Sequence, residues 1–370
     1  MCLLEKKLRS FGPIACAVLM GLTSAKATAN PAPAITLPEE GAFIGAYVDG
    51  GRMADKVRAE AITDFEYNID KKLVWNYFSN NWLQGVVEFP WDNVRASDEA
   101  GTTPYIRMSP WSEAKTYQRD PWQSMDQFLD GNFDFHMREW AQQAKDYGKP
   151  IIIEFGPEVN GDWFPWNGRW NGGGTADAYG DPNHPDGPEK FRDVYRRIIN
   201  IFRRARALNI VWVFHVDTAV SPDEDWNRAV HYYPGDDFID WIGLSVFGRQ
   251  LQDSYWSHFE DKLLNFWPQL EEVSLDKPVI IAEFAVIEDR DRPGRKAQWI
   301  TDALTSLRTV PQFVERIRGI SYWDSSGYSG VDGGDMRTSS SISSQGAFYD
   351  ELQNPYWIGR DQQGVSFELR

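Results

Sequence analysis

The sequence carries two cysteines in 370 residues, and both, Cys2 and Cys16, fall within its first 29 positions. From residue 30 onward, disulfides, thiolate metal sites and cysteine nucleophiles are therefore excluded. Positive charge is also in deficit, with 38 Lys and Arg against 54 Asp and Glu and a formal charge of −16. The electrostatic footprint that nucleic acid or an anionic membrane requires is missing, so neither is expected as a partner. No apolar run reaches the roughly 18 residues that suggest a bilayer-spanning helix. No Gly-rich phosphate loop follows the first predicted strand, where Gly45-Ala46-Tyr47-Val48-Asp49-Gly50-Gly51 stands instead. No G-x-S-x-G elbow suggests a serine triad, no His/Cys/Asp constellation suggests zinc, and no motif asks for a cofactor. What is in surplus is aromatic: 14% of the residues are Phe, Trp or Tyr, including 17 Trp. A core of this size does not need that many rings, so some are expected to line a surface.

Residues 1–29 read as a secretory signal. Lys6, Lys7 and Arg9 precede an apolar stretch from Phe11 to Leu22, and Ala27-Thr28-Ala29 supplies the small-residue cleavage site. Export would leave a thiol-free chain with a charge of −19, secreted to the periplasm or the medium. Pro13-Ile14-Ala15 before Cys16 makes a poor lipid-attachment motif. Residues 30–40 form an extended Pro-rich leader, and residues 41–370 are expected to be one domain.

Eight apolar runs recur along that domain: Phe43–Val48, Lys72–Phe78, Thr103–Ser109, Pro150–Phe155, Ile210–Val216, Ile239–Val246, Pro278–Phe284 and Gly319–Trp323. Segments with helical spacing lie between most of them, clearest at Phe135–Tyr147, Glu189–Leu208, Tyr255–Val273 and Gly294–Thr309. Eight strand–helix units over about 300 residues predict a (β/α)8 TIM barrel, an α/β fold whose chemistry sits at the C-terminal ends of the strands. A doubly wound sheet is the competitor. The polar residues at the predicted strand ends are Asp49, Arg107, Glu154 with Glu158, His215 with Asp217, Glu283 and Asp324. The set is rich in carboxylates.

Two segments carry the chemistry. Pro150-Ile-Ile-Ile-Glu154-Phe-Gly-Pro-Glu158-Val-Asn160-Gly-Asp-Trp163-Phe-Pro-Trp166 is a buried strand that runs into a loop dense in Trp, Asn and Gly. Lys277-Pro-Val-Ile-Ile-Ala-Glu283 is a second buried strand closing on one carboxylate. Two carboxylates among indoles have the composition of a glycosidase site: one protonates the leaving oxygen, the other attacks the anomeric carbon or activates water. Indole faces suit the C–H faces of pyranose rings, which makes Trp111, Trp163 and Trp166 candidate sugar platforms. Asn160 is a candidate hydroxyl partner. His215, at the end of the fifth strand, is weighed between a site role and a satisfied core histidine.

The Glu158-Val-Asn-Gly-Asp-Trp-Phe-Pro-Trp motif is similar to the signature of glycoside hydrolase family 26, which includes β-mannanases, some β-1,3-1,4-glucanases and β-1,3-xylanases. The resemblance extends over most of residues 41–325, through the Phe191–Asp217, Asp240–Gly248 and Lys277–Phe284 segments. It implies a retaining mechanism with Glu158 as acid/base and Glu283 as nucleophile, carboxyl groups roughly 5–5.5 Å apart, with Trp323 as the floor of the subsite beside the scissile bond and Phe247 among the substrate-binding residues. Two positions depart from the pattern. The usual His before the acid/base is Pro157, and the Tyr that normally meets the nucleophile from strand six is Phe247. The first weakens an assignment to mannan; the second requires another group, His215 or Arg107, to orient Glu283.

The resulting expectation is a secreted endo-acting hydrolase of a neutral β-linked polysaccharide, with β-mannan the first substrate and β-glucan, β-xylan or an exopolysaccharide the alternatives. A noncatalytic carbohydrate-binding barrel and a metal-dependent deacetylase or lyase are the competing classes. No protein partner is inferred. Glu154 is read as a structural neighbour of the site. The acidic run Asp177, Asp181, Asn183, Asp186 and Glu189 reads as a solvated loop rather than a calcium site, and Ser325–Ser344 as a mobile loop over the cleft or a disordered surface segment.

Overall fold

The computed structural model describes residues 35–51, 53–327 and 334–362; the expected signal at 1–29 and residues 30–34 of the Pro-rich leader lie outside them. Eight parallel strands close into a barrel: β1 Ala42–Val48, β2 Trp75–Asn81, β3 Thr103–Ser109, β4 Ile151–Phe155, β5 Ile210–Asp217, β6 Trp241–Ser245, β7 Val279–Phe284 and β8 Ile317–Asp324. Neighbours in sequence are neighbours in space, and β1 closes the ring by pairing with both β8 and β2. A two-residue strand, β9 (Trp357–Ile358), adds to the start of β1. Every predicted strand is present to within three residues at either end. The helices Asp134–Tyr147, Asp186–Ala205, Phe259–Val273 and Arg295–Thr309 match the periodicity as well.

Alternation along each strand sorts the apolar residues into two cores. Residues such as Ile151, Ile153 and Phe155 of β4 face outward and pack under the helices. Phe43, Trp75, Tyr105, Ile152, Val211, Val213, Trp241, Ile280 and Ala282 fill the barrel interior. Trp75 is the largest piece of that plug, tilted against Trp241 at 6.1 Å and donating its indole N–H to Ser321 Oγ at 2.7 Å. It fits because β1 and β8 offer no side chain beside it: a Cβ at Gly45 would fall inside the indole, and one at Gly319 would lie 2.5 Å from it. The floor of the barrel is thus solid, and the functional groups lie above it.

The stretch read as a mobile or disordered surface segment is corrected in part. Residues 328–333 lie outside the described residues. The part from 334 onward folds: Thr338 donates backbone N–H and hydroxyl to Asp324, and Ser341 caps the helix Ile342–Leu352 with a reciprocal bond to Ser344. Lys296 is fully buried beneath it, donating to the Arg337 carbonyl and to Ser340 Oγ.

The acidic loop is corrected similarly. Asp186 and Glu189 are buried, Asp186 accepting from Thr175, Ala178 and Tyr179, and Glu189 from Asp181 N and Arg192. Their oxygens close the loop onto the helix start. Among the described residues no helix is long and apolar enough to cross a membrane.

Candidate active site

Above the apolar plug, the inward positions of β2 to β7 change from hydrocarbon to polar groups. Tyr77, Tyr105, Arg107, Glu154, His215, Ser245 and Glu283 converge there, all buried. Strand register explains the meeting: Tyr77 pairs with Tyr105, Arg107 with Glu154, and Ser245 with Glu283. Glu283 reaches the interior only through an irregularity. Ile280 and Ala282 already point inward, so simple alternation would turn Glu283 toward the helices. The β6–β7 register shifts between Leu244↔Ile281 and Ser245↔Glu283. That extra residue in β7 re-aims the carboxylate, as bulges beside active sites do.

Glu283 Oε1 accepts from Tyr77 Oη at 2.8 Å and lies 3.4 Å from Arg107 Nη1. Burial pushes its pKa up to about 7, opposed by the Arg107 charge and reinforced by the nearby Glu158. Glu154 is better supplied. Tyr77 and Tyr105 donate to it at 2.5 and 2.6 Å, His215 Nδ1 lies 3.1 Å away and Arg107 Nε 3.7 Å away. Burial alone would raise its pKa, but His215, Arg107 and Tyr105 together hold it below the ordinary value. Conversely, burial would lower the His215 pKa, and the Glu154 carboxylate more than reverses this. Glu154 and His215 thus each favour the other's charged form beneath Glu283. Arg107, whose guanidinium lies over the faces of Tyr77 and Trp323, supplies the remaining positive charge. Glu154, His215 and Glu283 offer ligand atoms within 4.8 Å of one another. A divalent ion among them would have to sit against that guanidinium.

Glu158 belongs to the loop after β4. Its φ of +51° lies in the left-handed region, a conformation that costs a non-glycine residue about 1 kcal/mol or more and concentrates at functional sites. The loop is fastened on several sides. Val159 N–H reaches the His215 carbonyl at 3.4 Å, and Gly161 N–H the Glu158 carbonyl at 2.9 Å. Asn160 exchanges bonds with the Asp217 backbone at 2.7 and 2.8 Å. Trp163 donates its indole N–H to Glu158 Oε2 at 2.8 Å. It lies across Gly161, where any Cβ would collide with the ring. Asp217 is buried beside Glu158, and both effects push its pKa well up.

The sugar-binding expectations divide. Trp163 and Trp111 are half-buried, and Trp323 is half-buried on the floor of the mouth, stacked on Tyr47 at 4.1 Å with Phe247 edge-on at 6.4 Å. Phe247 is itself buried and presents no hydroxyl to Glu283. Three others lie beneath the cleft rather than in it. Trp166 is fully buried, its indole tied to the Pro157 carbonyl at 2.8 Å. Asn160 is enclosed by the bonds above. His215 is occupied by Glu154 and by Ser245 Oγ at 2.8 Å. These are corrections: a loop rich in Trp and Asn looks exposed on paper, but its rings and amides are what fasten it. Tyr77 and Tyr105 were missed, because nothing marks an inward tyrosine of β2 or β3 until the register places it beside a carboxylate.

A closed (β/α)8 barrel with two carboxylates at the C-terminal mouth, one after β4 and one on β7, defines a class of sugar-cleaving enzymes. Residues 55–266, more than half of the chain, match the model of glycosyl hydrolase family 26, and the chain belongs to that family. It is 29% identical over 298 residues to Endoglucanase H of Acetivibrio thermocellus, a match covering 79% of this chain and 28% of that protein. It is 24% identical over 143 residues to the mannan endo-1,4-beta-mannosidase of Bacillus subtilis strain 168, covering 38% of this chain and 32% of that one. The chain thus spans less than a third of the length of either relative. Among solved structures, the catalytic domain of the Bacillus sp. JAMB-750 endo-beta-1,4-mannanase shares the fold with a TM-score of 0.62 at 14% identity, over 89% of both chains.

Proposed function

We propose that this protein is an exported, endo-acting hydrolase of a neutral β-linked polysaccharide that works with retention, Glu158 serving as acid/base and Glu283 as nucleophile. The observation that carries the reading is the bulge that turns Glu283 into the same mouth as Glu158, against Arg107 and Tyr77. Glu158 protonates the leaving oxygen as Glu283 attacks the anomeric carbon; water then enters, giving its proton to Glu158 as the ester breaks.

One proton must therefore sit on Glu158 while Glu283 is charged. Arg107 and the Tyr77 hydroxyl favour charge on Glu283, and neutralising Glu158 removes the repulsion that adds to burial in raising the Glu283 pKa. Trp323 supports stacking of the sugar beside the scissile bond. The half-buried Trp163 and Trp111 extend an aromatic wall from the acid/base side. Export rests on the composition of residues 1–29.

Two glycans lead. β-Mannan is the expectation from the motif. A β-glucan is favoured by the relative whose match extends over 79% of this chain and by Pro157, which offers no donor where the family pattern has an imidazole. A hydrolysis screen over β-mannan, mixed-linkage β-glucan and β-xylan decides between them, with the first product's anomer read by NMR. Retention predicts a β-anomer first; an α-anomer from a β-linked substrate would overturn the mechanism.

A further inference from the structure

The Tyr77 hydroxyl lies 2.5 Å from Glu154 Oε1 and 2.8 Å from Glu283 Oε1. It has one hydrogen and two carboxylates to satisfy. When both are charged, the hydroxyl can point well at only one, and its lone pairs face the other. When Glu283 is neutral, its carbonyl oxygen is the weaker acceptor, and the hydroxyl turns to the charged Glu154. The direction of the O–H bond is thus tied to the charge on Glu283. Burial and the two carboxylates push the Tyr77 pKa well up, so the hydroxyl keeps its proton throughout.

We propose that Tyr77 is the positioning residue of the nucleophile, a hydroxyl that donates to Glu283 while that carboxylate is charged and turns to Glu154 while it is esterified. The proposal rests on Glu283 being the nucleophile. Phe247, two residues past the end of β6, supplies no hydroxyl, and Arg107 at 3.4 Å is a longer contact than Tyr77. The Tyr77 and Arg107 contacts both fall on Oε1, which fixes the roles of the two oxygens. Oε2 attacks the anomeric carbon and Oε1 becomes the ester carbonyl. The new C–O bond forms as the glycosidic C–O bond breaks, and the leaving oxygen takes the Glu158 proton. Tyr77 changes its acceptor and transfers nothing. Glu154, held charged by His215 and Arg107, is the second acceptor that makes the turn inexpensive. When water breaks the ester, the hydroxyl swings back to the reborn carboxylate. In the first half-reaction the bond holds Oε1 so that Oε2 is aimed at the anomeric carbon; in the second it stabilises the charge that returns to Glu283 in the transition state.

The test compares Tyr77→Phe, Tyr105→Phe and Glu283→Gln in the full chain, assayed on mixed-linkage β-glucan and β-mannan across pH. Tyr105 donates to Glu154 alone. Tyr77→Phe is expected to lower kcat about a hundredfold and to move the acid limb of kcat/KM up by about one pH unit, because the charged nucleophile loses a donor. Tyr105→Phe should move that limb less than half as far. Equal shifts in the two variants, or an unmoved limb in Tyr77→Phe, would overturn the proposal. If Tyr77→Phe does not fold, 3-fluorotyrosine at position 77 keeps the shape and strengthens the donor. The limb should then move down, and an unmoved limb counts against the role. Activity surviving in Glu283→Gln overturns the nucleophile assignment itself; loss there with an unmoved Tyr77→Phe limb overturns only the part given to Tyr77.

Discussion

Glu283 stands on a bulged strand within a buried polar layer, held by a tyrosine and an arginine, whereas Glu158 stands three residues beyond its strand, on a left-handed backbone, with an indole as its hydrogen-bond donor. The first is a charge embedded in compensating charges. The second is a group mounted on a fastened but strained loop. A nucleophile must be ionised and aimed, so a rigid layer with fixed positive charge suits it. An acid/base must exchange its proton with substrate and water, so a loop at the rim suits it better.

The contrast can be broken from either side. Removing the nucleophile should cost most: Glu283→Gln is expected to lower kcat by about four orders of magnitude or more, measured as reducing-sugar release. Glu158→Gln should cost about two to four orders on a natural polysaccharide. The loss should shrink on an aryl glycoside, whose leaving group needs no proton; equal losses on both substrates would contradict the division of roles. Trp163→Phe keeps the ring and removes the bond to Glu158, and about a tenfold fall in kcat/KM is expected. A fall confined to KM would mean that the indole only binds sugar.

The embedded charge should also be visible in stability. The Glu283 pKa is raised from 4.5 to about 7, so between those values the folded state binds more protons than the unfolded one. Stability from this group is therefore present at low pH and lost as pH rises through about 7. Glu283→Gln should melt higher than the parent at pH 8, by up to about 5 °C in calorimetry, and differ little at pH 4. In the parent, kcat/KM should fall as pH drops below about 7, because protonation removes the nucleophile. A gain of the variant over the parent that is larger at pH 4 than at pH 8 would reverse the sign of this account.

Much of the scaffold was legible from sequence. Eight apolar runs became eight strands because parallel strands covered by helices are apolar on both faces, a pattern that single residues do not blur. Glu283 stood out for the same reason, as a lone carboxylate closing an otherwise apolar run. What sequence alone could not show was facing. The bulge in β7 reverses the direction that alternation assigns to Glu283, and only pairing with β6 reveals it. Tyr77 and Tyr105 look like ordinary strand aromatics until register sets them beside Glu154. Asn160 and Trp166 misled in the other direction: their neighbours are the polar and small residues of a surface loop, yet their own hydrogen bonds turn inward. Asp186 and Thr338 show the same effect at the acidic and Ser-rich segments, where polar side chains replace apolar packing as the fastening.

The solid plug beneath the site carries a consequence for how such a sequence can drift. Trp75 on β2 occupies space that Gly45 and Gly319 leave open on β1 and β8, so three positions on three strands are one steric unit at the seam where the ring closes. None can mutate freely while the others stay. Larger residues at 45 or 319 become admissible only after Trp75 shrinks, and a smaller residue at 75 opens a hole until one glycine gains a side chain. Homologues should therefore show these three sites changing together, as a covarying triplet that reports ring closure and is independent of which glycan is cut.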